Sequence, residues 1–350
     1  MHELASYSPD YPSARGRFRQ QVQEKGGTLH ALPVNERQGL YIDIGVWAGT
    51  SDSLILHSTG LHGVEAFPGS AVQCAFLKAF TPDQLAGQSL VLIHCINPFG
   101  MQYLRRWNSN NVDLNRNFLS QFANLPANPL YQQLNPLLNP TQVFQLVGLP
   151  FKIGRLLSRH RFSHLQQAVA QGQYDYPEGL FFGGNQPATE TELLLQFFQE
   201  HLGGYTRIRG IDFHTGLGKF GQSSFYLEAD FDADDHQHIE ALLDTPVIYV
   251  RPGQKHSYQT QGGFIACLRQ LYQSQDFLMT TQEIGTVGPL KIIKALREEN
   301  FCYHYVLDQQ PEAGLALKQA FCPDKETWQV SAVQAGVRGL FRLIHASRPW

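Results

Sequence analysis

His62 and Glu65 stand three residues apart in the stretch STGLHGVEAFPGS, Ser58 to Ser70, where an apolar run, SLILH, has just ended. A second histidine, His214, closes another such run, RIRGIDFH, and Glu283 closes a third, DFLMTTQE. Two imidazoles and one carboxylate, two near in sequence and one remote, make the open three-ligand set that holds zinc and keeps a fourth position for water. Bound zinc lowers the pKa of that water to roughly 7, so hydroxide becomes available at neutral pH. Glu283 is the candidate base that activates it. A carboxylate ending an apolar strand is costly to desolvate unless it is paired or used, and a partly dry site lifts its pKa toward the working range. The segment LRRWNSNNVDLNRN adds Arg105, Arg106 and Arg116. These supply a candidate oxyanion stabiliser, and Asn115 with Arg116 a bidentate clamp for a substrate carboxylate.

Residues so scattered need a frame that gathers strand ends, and in open α/β sheets ligands bind beyond the carboxyl ends of the strands. Short apolar runs at Ser53 to Ser58, Ser89 to Asn97, Arg207 to His214, Pro246 to Val250 and Asp276 to Glu283 alternate with helical patterns such as Ser70 to Phe80 and Gly263 to Tyr272. An opening helix, Ser13 to Lys25, precedes two alternating segments, TLHALPV and LYIDIGVWAG, that read as a strand pair. The expected fold is therefore α/β: a mixed, largely parallel twisted sheet covered by helices on both faces. Thr189 three residues before Glu192 predicts a capping box opening a helix that stops at Gly203 and Gly204. Between Leu119 and Tyr174 the chain is rich in Leu, Gln, Pro and Asn without strand runs, which predicts a helical insertion within one domain spanning 1–350.

Composition narrows the partners. In 350 residues, 43% are hydrophobic and 16% charged, ordinary values for a globular chain with a deep core. The formal charge of −3, with no Lys/Arg run, leaves no footprint for nucleic acid or an anionic membrane. Small molecules or peptides are the expected partners. Cys74, Cys95, Cys267, Cys302 and Cys322 never form a C-x-x-C pair, so neither a disulfide framework nor a thiolate zinc site is expected. With no signal-peptide core at the N-terminus, a cytoplasmic location is expected.

Taken in order, HGVE, NPFG, RRW, VDLNRNF, DFH, YQTQGG and QEIG resemble the motifs of the zinc metallocarboxypeptidases of the carboxypeptidase A type. They span His62 to Glu283, and the usual N-P-D-G stands here as Asn97-Pro98-Phe99-Gly100. The flavour of DFHTGLG and YPSARGRF is similar to a bacterial intracellular branch related to aspartoacylase and succinylglutamate desuccinylase. The resemblance implies a carboxypeptidase-like α/β/α fold and one zinc per chain on His62, Glu65 and His214, with Glu283 as general base. It further implies that Arg106 polarises the scissile carbonyl and that Asn115 and Arg116 hold the terminal carboxylate. Tyr258 would close over substrate, and Ile265 would form an apolar floor for an apolar terminal side chain. The activity so implied is hydrolysis of a peptide or amide bond beside a free carboxylate, a carboxypeptidase on short peptides. An N-acyl amino acid deacylase keeps the same zinc and base. A zinc-dependent binding protein without turnover has no need of Glu283.

Overall fold

The structure, a computed structural model, describes residues 3–142, 154, 161–228, 231–250 and 261–346. Eight strands form one sheet: β1 (Thr28–Asn35), β2 (Leu40–Trp47), β3 (Ser53–Thr59), β4 (Ser89–His94), β5 (Arg207–Gly216), β6 (Ser223–Leu227), β7 (Val247–Tyr249) and β8 (Asp276–Gly285). Their spatial order is β1-β2-β4-β3-β5-β8-β6-β7. The central strands β4, β3, β5 and β8 are mutually parallel, and β6 and β7 pair in parallel. The β1–β2, β2–β4 and β6–β8 pairings are antiparallel. This is the mixed, mostly parallel α/β sheet that the alternating runs predict.

Every residue of β3 and of β4 is buried, which explains why those strands read as continuous apolar runs and not as alternations. Helices cover both faces. On one face Gln73, from helix Ala66–Ala79, reaches His57 of β3, and Gln282 of β8 donates to the Ala335 carbonyl of helix Glu326–Ala346. On the other, Phe264 and Tyr272 at the two ends of helix Phe264–Leu271 pack on Phe198 and on Phe277 of β8.

One local expectation needs correction. The helix beginning at Thr189 is not capped by a Thr189–Glu192 box: Ala188 is its N-cap. A distant side chain takes over, because Asn117 Oδ1 accepts from the Ala188 amide at 2.7 Å and from Thr191 Oγ1 at 2.9 Å. Strand β6 is five residues long and carries no reading as a strand in the sequence. The C-terminal helices Pro289–Tyr305, Gln310–Phe321 and Glu326–Ala346 extend the pattern. Within 119–174 the described residues include helices Pro129–Leu138 and Phe162–Gln171. Their buried Tyr131, Leu134 and Leu165 join Trp107, Leu180 and Phe321 in a second, smaller apolar cluster beside the main core. Among the described residues no helix is long and apolar enough to cross a membrane.

Candidate metal centre

Because β3, β5 and β8 run in parallel as neighbours, their carboxyl ends fall on one edge of the sheet. Beyond β3 the chain turns through Gly60 at φ +73°, keeps His62 extended, makes the single helical turn Gly63–Glu65, and enters the next helix. Gly63 is required by space: a Cβ there would sit 2.1 Å from the Gly100 carbonyl carbon and 2.5 Å from the Arg105 oxygen. The close approach lets the Gly63 amide donate to the Arg106 carbonyl at 3.1 Å and the Val64 amide to Arg105 at 3.0 Å. Asn97 locks the third loop, accepting from the Gly100 amide at 2.8 Å and donating to the Arg106 carbonyl at 3.0 Å. The HGVE, NPFG and RRW motifs are thus one interlocked unit.

One ligand atom from each of His62, Glu65 and His214 can be chosen so that all lie within 4.8 Å of one another, and all three residues are buried. His62 Nδ1 lies 2.8 Å from Glu65 Oε1, and His214 Nδ1 lies 3.0 Å from Glu65 Oε2. The opposite ring nitrogens face further carboxylates: His62 Nε2 is 3.2 Å from Asp113 Oδ1, and His214 Nε2 is 2.6 Å from Asp212 Oδ2. A metal-binding histidine characteristically gives its outer N–H to a carboxylate, which turns the other nitrogen's lone pair toward the ion. With the His214 proton on Asp212, the Nδ1 lone pair faces the Glu65 oxygen, and a shared cation satisfies both. Arg106 Nη2 lies 2.7 Å from His62 Nε2, so there the guanidinium and Asp113 compete for one nitrogen.

Glu65 and Asp113 accept from Arg106, and Asp212 lies against His214, so the carboxylates of the site are held by Arg106 and the imidazoles. Burial drives Glu65 upward, yet the two histidines more than reverse this and hold its carboxyl below the usual range. Asp113 behaves alike, its burial outweighed by Arg106, His62 and Arg116. For His214, burial favours the neutral ring, but Asp212 and Glu65 together raise its pKa well above the ordinary value. Glu283 goes the other way: burial, reinforced by the Glu65 charge and opposed by His214 and the Leu217 amide, pushes it up to about 8. That range suits a group that takes up and returns a proton near neutrality.

Glu283 is the register partner of His214 across β5 and β8, and its Oε2 accepts from the Leu217 amide at 3.2 Å. Arg106 lies against the donors, giving Nη1 to Glu65 Oε1 at 3.3 Å and Nε to Asp113 Oδ2 at 3.2 Å, its Cζ 5.4 Å from the Phe181 ring centroid and 6.0 Å from that of Phe321. Its neighbour Arg105 points elsewhere, into a buried pair with Glu299 at 2.7 Å, stacked on Tyr303. Arg116 is buried nearby; it donates to the carbonyls of Asn115 and Ala170, and its Nε has no partner among the described residues. Asn115 spends its side-chain oxygen on the Phe264 amide at 3.0 Å. Ile265 lies in the main apolar core, one residue into that helix. Tyr258 lies outside the described residues.

Two contributors have no role in the sequence reading. Asp212 carries a signal in hindsight, since D-x-H on a strand puts both side chains on one face. It also accepts from Ser58 Oγ at 2.7 Å, which fixes the carboxylate from behind. Asp113 sits inside VDLNRNF, but nothing in its spacing says that it reaches His62, which is a tertiary contact.

Fold and site together define an α/β protein with a His-Glu-His donor set for a divalent metal at the carboxyl edge of its sheet. The chain belongs to the family described as "Protein of unknown function (DUF2817)", whose pattern matches residues 7–335. No curated protein matches it. Among solved structures it is similar to a metallo-carboxypeptidase from Pseudomonas aeruginosa in complex with (2-guanidinoethylmercapto)succinic acid. The identity is 13%, the TM-score 0.49, and the match covers 94% of this chain and 67% of that one. Bovine thrombin-activatable fibrinolysis inhibitor, in complex with tick carboxypeptidase inhibitor, matches at 10% identity and TM-score 0.49 over 95% and 97% of the two chains. Murein-tripeptide amidase MpaA from Escherichia coli O157 matches at 16% identity and TM-score 0.41 over 79% and 88%.

Proposed function

We propose that the chain is a zinc-dependent hydrolase that cleaves a peptide or amide bond beside a free carboxylate, acting as a carboxypeptidase on short peptides. The observation that carries this is the placement of Glu283, with its raised pKa, in register beside His214 of the donor set. His62, Glu65 and His214 would hold a zinc ion, which would supply Lewis acidity toward a carbonyl and lower the pKa of a nearby water.

The chain's own residues then have distinct tasks. Glu283 takes up a proton at Oε1, since Oε2 is held by the Leu217 amide, and returns it to the leaving amine. Arg106 has its guanidinium against the donor set, positioned to stabilise charge developing on the carbonyl oxygen. The unpartnered Nε of Arg116 is a buried donor that a substrate carboxylate satisfies. Asp113 and Asp212 orient the two imidazoles.

Zinc-loaded protein incubated with a mixed pool of peptides and N-acyl amino acids, beside a chelated control, tests the reading by mass spectrometry. Loss of single C-terminal residues supports it. Release of acid from acylated amino acids alone moves the activity to the deacylase class. No product in either pool removes the hydrolase reading.

A further inference from the structure

Away from the metal centre a cavity of about 350 Å³ opens between the 135–141 segment, the turn at 175–179 and helix Pro289–Tyr305. Its volume suits a small ligand, since small-molecule sites begin at about 300 Å³. Arg297 lines it with its Nε buried and without a hydrogen-bond partner, and among the described residues no ion pair engages its guanidinium. Burial lowers the Arg297 pKa and outweighs the opposing charge of Glu298, so this cation is held in a setting that does not solvate it fully. Asp175 and Glu178 line the same cavity. Neither comes within ion-pair distance of Arg297: the Glu178 Oε2 accepts from Tyr305 at 2.6 Å, and Asp175 Oδ2 lies 3.5 Å from Gln132 Nε2. Opposite charges that share a cavity without neutralising one another are complementary to a ligand that carries both charges itself.

Tyr176, Phe301 and Tyr305 add aromatic surface to the walls. We propose that this cavity is a binding site, separate from the metal centre, for a small zwitterion with an apolar side chain: a free α-amino acid or a dipeptide. Its carboxylate meets Arg297, its ammonium meets the Asp175 and Glu178 side, and its side chain lies on the aromatic wall. The floor of the site is close to the catalytic loops through one side chain. Asn300, a cavity residue, donates to the Glu178 carbonyl at 2.7 Å and accepts from Arg105 Nη2 at 3.2 Å, and Arg105 precedes Arg106 in the chain. The inference depends on the cavity alone and stands whether or not the chain is a hydrolase.

The test is calorimetric titration of the intact protein with L-phenylalanine, phenylalaninamide and N-acetyl-phenylalanine. The first carries both charges, the second only the positive one, the third only the negative one. Saturable binding of L-phenylalanine is expected, with each singly charged analogue at least tenfold weaker. Arg297→Gln should weaken L-phenylalanine at least tenfold, while Arg297→Lys, which keeps the charge, retains more of the affinity. Both variants should keep wild-type zinc content and melting, because among the described residues Arg297 has no hydrogen-bond or ion-pair partner to lose. Absence of saturable L-phenylalanine binding overturns the proposal. So does affinity undiminished in Arg297→Gln, which would place the amino acid at the metal centre.

Discussion

His214 and Glu283 face one another as register partners on adjacent parallel strands, so one member of the His-Glu-His donor set and the proposed proton-handling carboxylate are set by a single strand pairing. Backbone hydrogen bonds along ten residues of each strand fix their separation. Neither residue depends on a mobile loop for its position.

Replacing Glu283 by glutamine should therefore keep the pairing, the zinc and the fold while removing the proton acceptor. General acid–base catalysis is worth roughly 100 to 10,000-fold, and a group serving both proton transfers belongs at the upper end. Zinc content, melting and hydrolysis measured side by side decide it. Normal zinc with hydrolysis within a few-fold of wild type removes Glu283 from the reaction.

Loss of the carboxylate behind a metal-binding histidine weakens binding without removing a ligand. Asp212→Asn should lower zinc affinity about 10 to 100-fold, whereas His214→Ala should abolish most of it. Competition with a chromophoric chelator measures both. Equal affinity in Asp212→Asn and wild type would mean that Asp212 does not tune the site.

The two adjacent arginines should separate stability from activity. Arg105→Met strands Glu299 in a fully buried position, and breaking such a pair costs about 3–5 kcal/mol, visible as a large drop in melting temperature. Arg106→Lys keeps a positive charge beside Glu65 but loses the planar fork, so turnover should fall far more than melting. The opposite pattern would exchange their roles.

Amidating the C-terminal carboxylate of a good peptide substrate should lower kcat/KM about 10 to 100-fold, because a charge-assisted hydrogen bond to the Arg116 Nε is lost. In Arg116→Gln the free and amidated peptides should become nearly equal. Equal rates in the wild type would rule out carboxylate recognition.

The metal-free protein carries a pH signature. Glu283 has a folded pKa raised to about 8, so between its ordinary range and that value the folded state holds a proton that the unfolded state has released. Stability contributed by this proton is present at low pH and is lost as pH rises through about 8. In chelator-treated samples Glu283→Gln should consequently gain in melting temperature over wild type as pH increases from 5 toward 8. A difference that is flat or shrinks with pH would contradict the raised pKa.

How far the sequence foretells this molecule depends on the range of the interactions involved. His214 and Glu283 each end an apolar run and His62 and Glu65 follow one, a local signal, and the parallel sheet then gathers them. Strand β6 escaped because five residues beside a glycine-containing loop carry too little pattern. Asn117 as the cap of the helix at Thr189 is a contact across 71 residues to Ala188, beyond any local rule. Asp113 and the division of labour between Arg105 and Arg106 are similarly invisible, since adjacent identical residues differ only in what surrounds them. For Ile265 the family resemblance supplied a role, and its place in the main core supplies a packing one.

The contact between Gly63 and Gly100 also bears on how fast the ion is exchanged. Two backbones that touch without intervening side chains cannot slide or breathe apart by rotamer changes, so the loop bearing His62 and Glu65 has no small-amplitude route to open. Departure of zinc must then await a larger opening that separates these loops, and its rate should rise with urea in step with that opening. A histidine pair on a surface loop would release its ion at a rate indifferent to denaturant. The residence time of the proposed zinc would then be a clock for the rigidity of the surrounding chain.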